Sequence, residues 1–198
     1  YYSQLPTQII YNDANDYNLL VDVEKQCLSG IFDFGDAISS FRIAELAIAA
    51  AYSMMKQANP EKQIQRLVHA YHQVNPLLEI ELDVLYDMIR MRLATSVCLS
   101  NEQHKKHPEN DYLLISQNGA WQALNSLAQI DRVSFAISLK SLCGLLTGKD
   151  ASEAFAYRKR HLSENLSLAY KEPLKMIAGR GAYLYNEKGK RYLDMVNN

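Results

Sequence analysis

Tyr11-Asn12-Asp13-Ala14-Asn15-Asp16-Tyr17-Asn18-Leu19-Leu20-Val21, followed from Gly30 by Gly30-Ile31-Phe32-Asp33-Phe34-Gly35-Asp36, is the stretch on which the fold turns. Two short apolar runs, Ile9-Ile10 and Leu19-Leu20-Val21, and a third at Gly30-Ile31-Phe32 are separated by polar segments rich in Asn and Asp. That pattern predicts strand, loop, strand, turn, strand. After Asp36 the character changes, because Ala37 to Met55 is too densely apolar for a half-exposed helix and predicts one buried on most sides.

Working outward, Asn59-Pro60 is expected to stop that helix. Glu61 to Tyr71 places Ile64, Leu67, Val68 and Tyr71 on one helical face, Glu79 to Leu99 repeats the scheme, and the polar stretch Ser100 to Glu109 predicts a loop. Further helices are expected from Asp111 to Leu127 and from Asp131 to Leu146, with termination signals at Gly144, Thr147 and Gly148. Lys149 to Arg160 alternates in charge and reads as a solvated helix or linker. Pro173 to Asn198, with turns at Gly179-Arg180-Gly181 and Glu187-Lys188-Gly189-Lys190, predicts a small antiparallel β-meander. The expected class is α+β, mainly α: residues 1–147 as one lobe, 148–160 as linker or helix, and 161–198 as the start of a second domain.

The chain has 198 residues, 48% of them hydrophobic, which is enough for a packed core. Its 21 basic and 22 acidic residues leave a formal charge of −1, which gives no electrostatic footprint for nucleic acid or an anionic membrane surface. Cys27, Cys98 and Cys143 are odd in number and widely spaced, so neither a disulfide framework nor a CxxC metal site is read from them, and a cytoplasmic location is expected. No apolar run reaches the ~20 residues of a membrane span. The opening Tyr1-Tyr2 points to a fragment.

Phosphoryl transfer needs a carboxylate that orients or deprotonates the attacking hydroxyl, and hard oxygen ligands that hold Mg²⁺ against nucleotide phosphates. Asp13, Asn18 and Asp33 supply those groups. An Asp and an Asn five residues apart fit opposite ends of one tight loop, and an Asp after the next hairpin can fold back beside them. Taken alone, Asn12 to Asn18 reads more readily as a plain connection, since Asn and Asp are common turn residues. What favours chemistry is the second segment, Asp33-Phe34-Gly35-Asp36, after an apolar strand and before a buried helix.

These residues resemble the aminoglycoside phosphotransferase and choline kinase superfamily, a protein-kinase-like C-terminal lobe, and within it look most like the hydroxylysine kinase branch. That catalytic loop reads His-Gly-Asp or His-Asn-Asp, four residues, then Asn; here it reads Tyr11-Asn12-Asp13, four residues, Asn18. The resemblance implies Asp13 as catalytic base, Asn18 and Asp33 as magnesium ligands, ATP as phosphoryl donor, and a small amine, amino-alcohol or amino acid as acceptor. Tyr11 departs from the usual histidine, although tyrosine can still pack and hydrogen-bond in support of the loop. The resemblance extends through Asn75-Pro76-Leu77 and Pro108-Glu109-Asn110-Asp111-Tyr112. It implies a first lobe before Tyr1, so that this stretch alone is expected to be inactive.

Arg158 to Asn198 resembles the opening of a class III aminotransferase, through Asn165 to Tyr170, Gly179-Arg180-Gly181-Ala182-Tyr183-Leu184-Tyr185 and Gly189-Lys190-Arg191-Tyr192-Leu193-Asp194-Met195. It implies pyridoxal phosphate in a downstream domain, whose Schiff-base lysine is none of Lys171, Lys175, Lys188 or Lys190. Transamination and phosphate elimination are both open for such a domain. Homo-oligomerisation through the C-terminal strands is expected, because an incomplete sheet leaves open edges. The alternative reading is a degenerate kinase-like lobe that serves as a structural or dimerisation module for the aminotransferase.

His69 and His72, and His104 and His107, have metal-compatible spacing but no third ligand nearby. Met54, Met55, Met88 and Met91 read as core packing, and Trp121 and Tyr112 as core or interface aromatics. Glu79, Glu81, Asp83 and Asp87 could face a substrate amine, but a solvated helix face is the plainer reading.

Overall fold

Antiparallel pairing fixes the N-terminal architecture. In the computed structural model, which describes residues 2–55, 57–110, 117–146, 151–162 and 174–195, β1 (Thr7–Ile10) pairs with β4 (Ile38–Phe41) from Thr7 opposite Phe41 to Ile10 opposite Ile38. Between them, β2 (Leu19–Asp22) and β3 (Cys27–Ile31) form a hairpin that begins with Leu19 opposite Ile31 and is bulged between Leu20 and Val21. The three strands read from the apolar runs are present.

The helix expected from Ala37 begins later. Ile38 to Phe41 are β4, because backbone pairing with the distant β1 overrides local propensity in the Ser39-Ser40 pair, and α1 runs from Arg42 to Ser53. Its first amide is held outside the helix, donating to the Pro6 carbonyl at 2.8 Å. Asn59-Pro60 starts a helix rather than stopping one. Asn59 Oδ1 accepts from the Lys62 amide at 3.0 Å, Pro60 occupies the first helical position, and α2 runs from Pro60 to Val74.

α3 spans Glu79–Lys106, so Ser100 to Lys106 is helix where a loop was expected. Ser100 and Asn101 return their side chains to the carbonyls of Ser96 and Val97 at 2.8 and 3.0 Å. Lys106 pairs with Glu102, and the terminal His104, Lys105 and Lys106 suit the negative end of the helix dipole. α1 packs on α3 and α2, and α3 on α4 (Gln117–Ala128). The core is built from Ile43, Leu46, Ile64, Leu82, Leu85, Ile89, Leu93 and Leu127, each at most 1% exposed. Met54 belongs to it, whereas Met91 is 61% exposed, against the core expectation, and Trp121 is 51% exposed, outside the core. Tyr112 lies outside the described residues.

One buried ion pair crosses this core. Arg42, at the start of α1, donates to both carboxylate oxygens of the fully buried Glu81, the Nε–Oε1 distance being 3.0 Å, and to Asn75 Oδ1 at 2.9 Å and the Pro76 carbonyl at 3.1 Å. Glu81 also accepts from the Leu78 amide at 2.9 Å, capping α3. Glu81 is therefore part of the scaffold, not of a solvated helix face.

The chain divides into two compact units, Tyr1–Asp131 and Arg132–Asn198. The second contains α5 (Arg132–Leu142), α6 (Ala151–His161) and a meander of β5 (Met176–Arg180), β6 (Tyr183–Asn186) and β7 (Arg191–Leu193). The expected boundary at Thr147 and the aminotransferase-like stretch Asn165 to Tyr170 lie outside the described residues. Gly189, at φ +76°, abuts α5 so closely that a Cβ there would stand 2.6 Å from the Ser134 carbonyl oxygen. Among the described residues, no helix is long and apolar enough to cross a membrane.

Candidate active site

Two loops are closed into one ring by the strand pairing. Residues 11–18 run from Ile10 to Leu19 and residues 32–37 from Ile31 to Ile38, and at both ends the flanking residues are paired to each other, Ile10 with Ile38 and Leu19 with Ile31. The loop bearing Asp13 and Asn18 and the loop bearing Asp33 are therefore held side by side. The Phe32 amide donates to the Asn18 carbonyl at 3.2 Å, which puts the residue before Asp33 directly against Asn18.

Within the first loop, Asn15 caps a short 3₁₀ turn, Asp16–Asn18, its Oδ1 accepting from the amides of Tyr17 and Asn18 at 2.9 and 3.2 Å. The turn delivers Asn18, only 8% exposed, back onto Asp13: Asn18 Nδ2 donates to Asp13 Oδ2 at 2.7 Å and to the Asp13 carbonyl at 3.2 Å. With its amide nitrogen committed to Asp13, Asn18 keeps Oδ1 as an acceptor. Asn12 and Asp33 both adopt left-handed backbone, φ 67° and 63°, a conformation costly for residues with a side chain and concentrated at functional loops. The Asn12 amide is anchored by Glu45 Oε2 of α1 at 3.0 Å.

Tyr11 ties the two loops together. Its hydroxyl donates to the Phe32 carbonyl, and its ring meets Phe34 edge to face with centroids 5.2 Å apart. Partial desolvation and the nearby carboxylates of Asp13, Asp33 and Glu45 raise its hydroxyl above the ordinary tyrosine value, against a lowering hydrogen bond with Asn18. Tyr11 is therefore protonated and able to donate at neutral pH.

Asp13 has a second partner. Arg92 of α3 brings Nη2 to 3.4 Å from Asp13 Oδ1 and donates from the same nitrogen to the Tyr52 hydroxyl of α1 at 2.9 Å. Arg92, Tyr52 and Glu45 were not singled out from the sequence. A usable signal exists for Arg92: it falls at helical spacing from the buried Leu85 and Ile89, so a cation sits in an apolar stripe.

Among the described residues no group of three or more His, Cys, Asp or Glu side chains could hold a metal ion. His72 is engaged otherwise, its Nδ1 accepting from the Leu77 amide at 3.0 Å. The side chains that the sequence singles out as metal ligands, Asn18 and Asp33, offer an amide oxygen and a carboxylate. That chemistry suits Mg²⁺, which takes hard oxygens and is commonly held by one or two carboxylates plus waters and substrate phosphates.

Residues 3–81 match the family model of the phosphotransferase enzyme family. The chain is 31% identical over 127 residues to a hydroxylysine kinase of Mus musculus, covering 60% of the chain and 34% of that protein. It is 34% identical over 128 residues to a hydroxylysine kinase of Danio rerio, covering 63% of the chain and 36% of that protein. A shorter likeness, 40% over 48 residues, is to an alanine–glyoxylate aminotransferase 2-like protein of Drosophila melanogaster, covering 24% of the chain and 10% of that protein. No solved structure matches. The chain thus spans about a third of the length of the hydroxylysine kinases it matches. The mainly helical fold with small antiparallel sheets is consistent with the kinase-like α+β class expected from the sequence.

Proposed function

We propose that residues 1–147 form the catalytic lobe of a Mg-ATP-dependent phosphotransferase acting on a hydroxyl of a small amine or amino acid. The observation that carries this reading is the ring of paired strands that holds the Asp13–Asn18 hydrogen bond beside the Asp33 segment. Asp13 accepts the hydrogen bond, and then the proton, of the attacking hydroxyl, while Asn18 fixes the plane of its carboxylate. Asn18 Oδ1 and Asp33 would hold Mg²⁺, which when bound neutralises charge on the nucleotide phosphates. Tyr11 and Phe32 keep the two loops in register. The hydroxylysine kinase likeness supports a hydroxylated amino acid as acceptor.

The proposal extends to a class III aminotransferase or phospho-lyase following residue 161, with pyridoxal phosphate bound downstream and self-association through the C-terminal strands. The 48-residue aminotransferase likeness supports it. The second reading, a lobe kept only for shape, draws its support from tyrosine at position 11. Magnesium-dependent ADP release by the full-length protein, assayed over hydroxylated amines and amino acids, separates the two. Asp33→Asn should abolish it without lowering the melting temperature; unchanged turnover in Asp33→Asn would refute the catalytic reading.

A further inference from the structure

The fold surrounds Arg92 with an arrangement that scaffolding alone does not explain. Its side chain is 27% exposed, and its Nε–H is buried with no hydrogen-bond partner among the described residues. An unmet buried donor is costly, and a methionine or leucine would fill the same place in α3 without that cost. What the arginine adds is reach across two elements: Nη2 contacts Tyr52 of α1 at 2.9 Å and Asp13 of the loop at 3.4 Å, while the guanidinium carbon lies 5.4 Å from the Tyr52 ring centroid.

The two oxygens of Asp13 are thus held from opposite sides, Oδ2 by Asn18 and Oδ1 by Arg92. We propose that Arg92 is a positioning residue, moored by Tyr52, that fixes the carboxylate of Asp13 for its encounter with the acceptor hydroxyl. It does so against the crowding of carboxylates, since Asp33 and Glu45 stand near enough to act on the Tyr11 hydroxyl together with Asp13. The inference rests on the phosphotransferase reading of Asp13.

In the full-length protein, Arg92→Met should lower kcat about a hundredfold, the penalty of a slightly misplaced reacting group. KM for the nucleotide should stay unchanged, whereas a damaged fold would move KM and melting temperature together. Arg92→Lys keeps the charge but not the planar fork that spans both partners, and should fall between wild type and Arg92→Met. Tyr52→Phe should cost roughly tenfold in kcat on its own and nothing further in the Arg92→Met background, because Tyr52 acts through Arg92. Independently of turnover, Asp13→Asn and Arg92→Met should be non-additive in melting temperature. Wild-type kcat in Arg92→Met, additive kcat losses for Tyr52 and Arg92, or additive melting shifts for Asp13 and Arg92 would each overturn the role. Asp13→Asn is the control on the underlying reading: full turnover there defeats the phosphotransferase assignment, whereas loss there beside wild-type Arg92→Met defeats only the role of Arg92.

Discussion

The hydroxyl of Tyr11 donates to the backbone carbonyl of Phe32, joining the loop that carries Asp13 to the loop that carries Asp33. Position 11 departs from the histidine of the family it resembles, and the contact shows what its occupant has to do. It needs a donor of the right length and a ring to pack on Phe34.

Tyr11→Phe keeps the ring and removes the donor. With the phosphotransferase active, kcat should fall roughly tenfold, the scale of one lost orienting hydrogen bond, with little change in melting temperature. Tyr11→His should recover part of that loss. Unchanged kcat in Tyr11→Phe would show that the two loops are held without this contact.

The strand-loop-strand pattern was legible because Ile9-Ile10, Leu19-Leu20-Val21 and Gly30-Ile31 each signal a strand locally. β4 was not, because Ser39 and Ser40 have no strand signal of their own and acquire one only by pairing with residues some thirty positions earlier. Asp13, Asn18 and Asp33 stood out by chemistry and spacing, whereas Arg92 was not singled out although it falls in the apolar stripe of α3. Glu81 was read with a solvated helix face, and its burial became legible only with its partner Arg42, which lies far away in sequence.

Arg42→Met leaves the Glu81 carboxylate fully buried without its cation, and only the Leu78 amide remains among its named donors. A buried pair broken from one side typically costs about 3–5 kcal/mol. Urea denaturation should show a loss of that order, while Arg42→Met/Glu81→Leu together should recover most of it, since two apolar groups leave no unpaired charge. A double variant as unstable as the single one would mean that the hydrogen bonds to Asn75 and Pro76 dominate.

Gly189→Ala should destabilise the C-terminal unit. The backbone there is left-handed, at φ +76°, and the new methyl would meet the rigid Ser134 carbonyl oxygen at 2.6 Å. Strain at such a position is worth about 1–3 kcal/mol, and the close approach adds to it. Hydrogen exchange of the amides in β5–β7 should quicken accordingly; unchanged protection would mean that the turn opens away from α5 at no cost.

Asp33 is the residue at which stability and function should part. Its φ of 63° costs free energy for any residue with a Cβ, though aspartate and asparagine tolerate it better than most. Asp33→Gly removes that strain at the expense of a more flexible unfolded chain, so the net change should be a gain of up to about 1 kcal/mol or none. It also removes the carboxylate. Denaturant midpoints should therefore stay level or rise while Mg-dependent turnover disappears, the trade expected where strain is retained for chemistry. Asp33→Ala, with a Cβ and no polar side chain to support the left-handed backbone, should instead lose both stability and turnover. If Asp33→Gly proved clearly less stable than wild type, the aspartate side chain would be holding the loop for structural reasons, and the strain would carry no functional meaning.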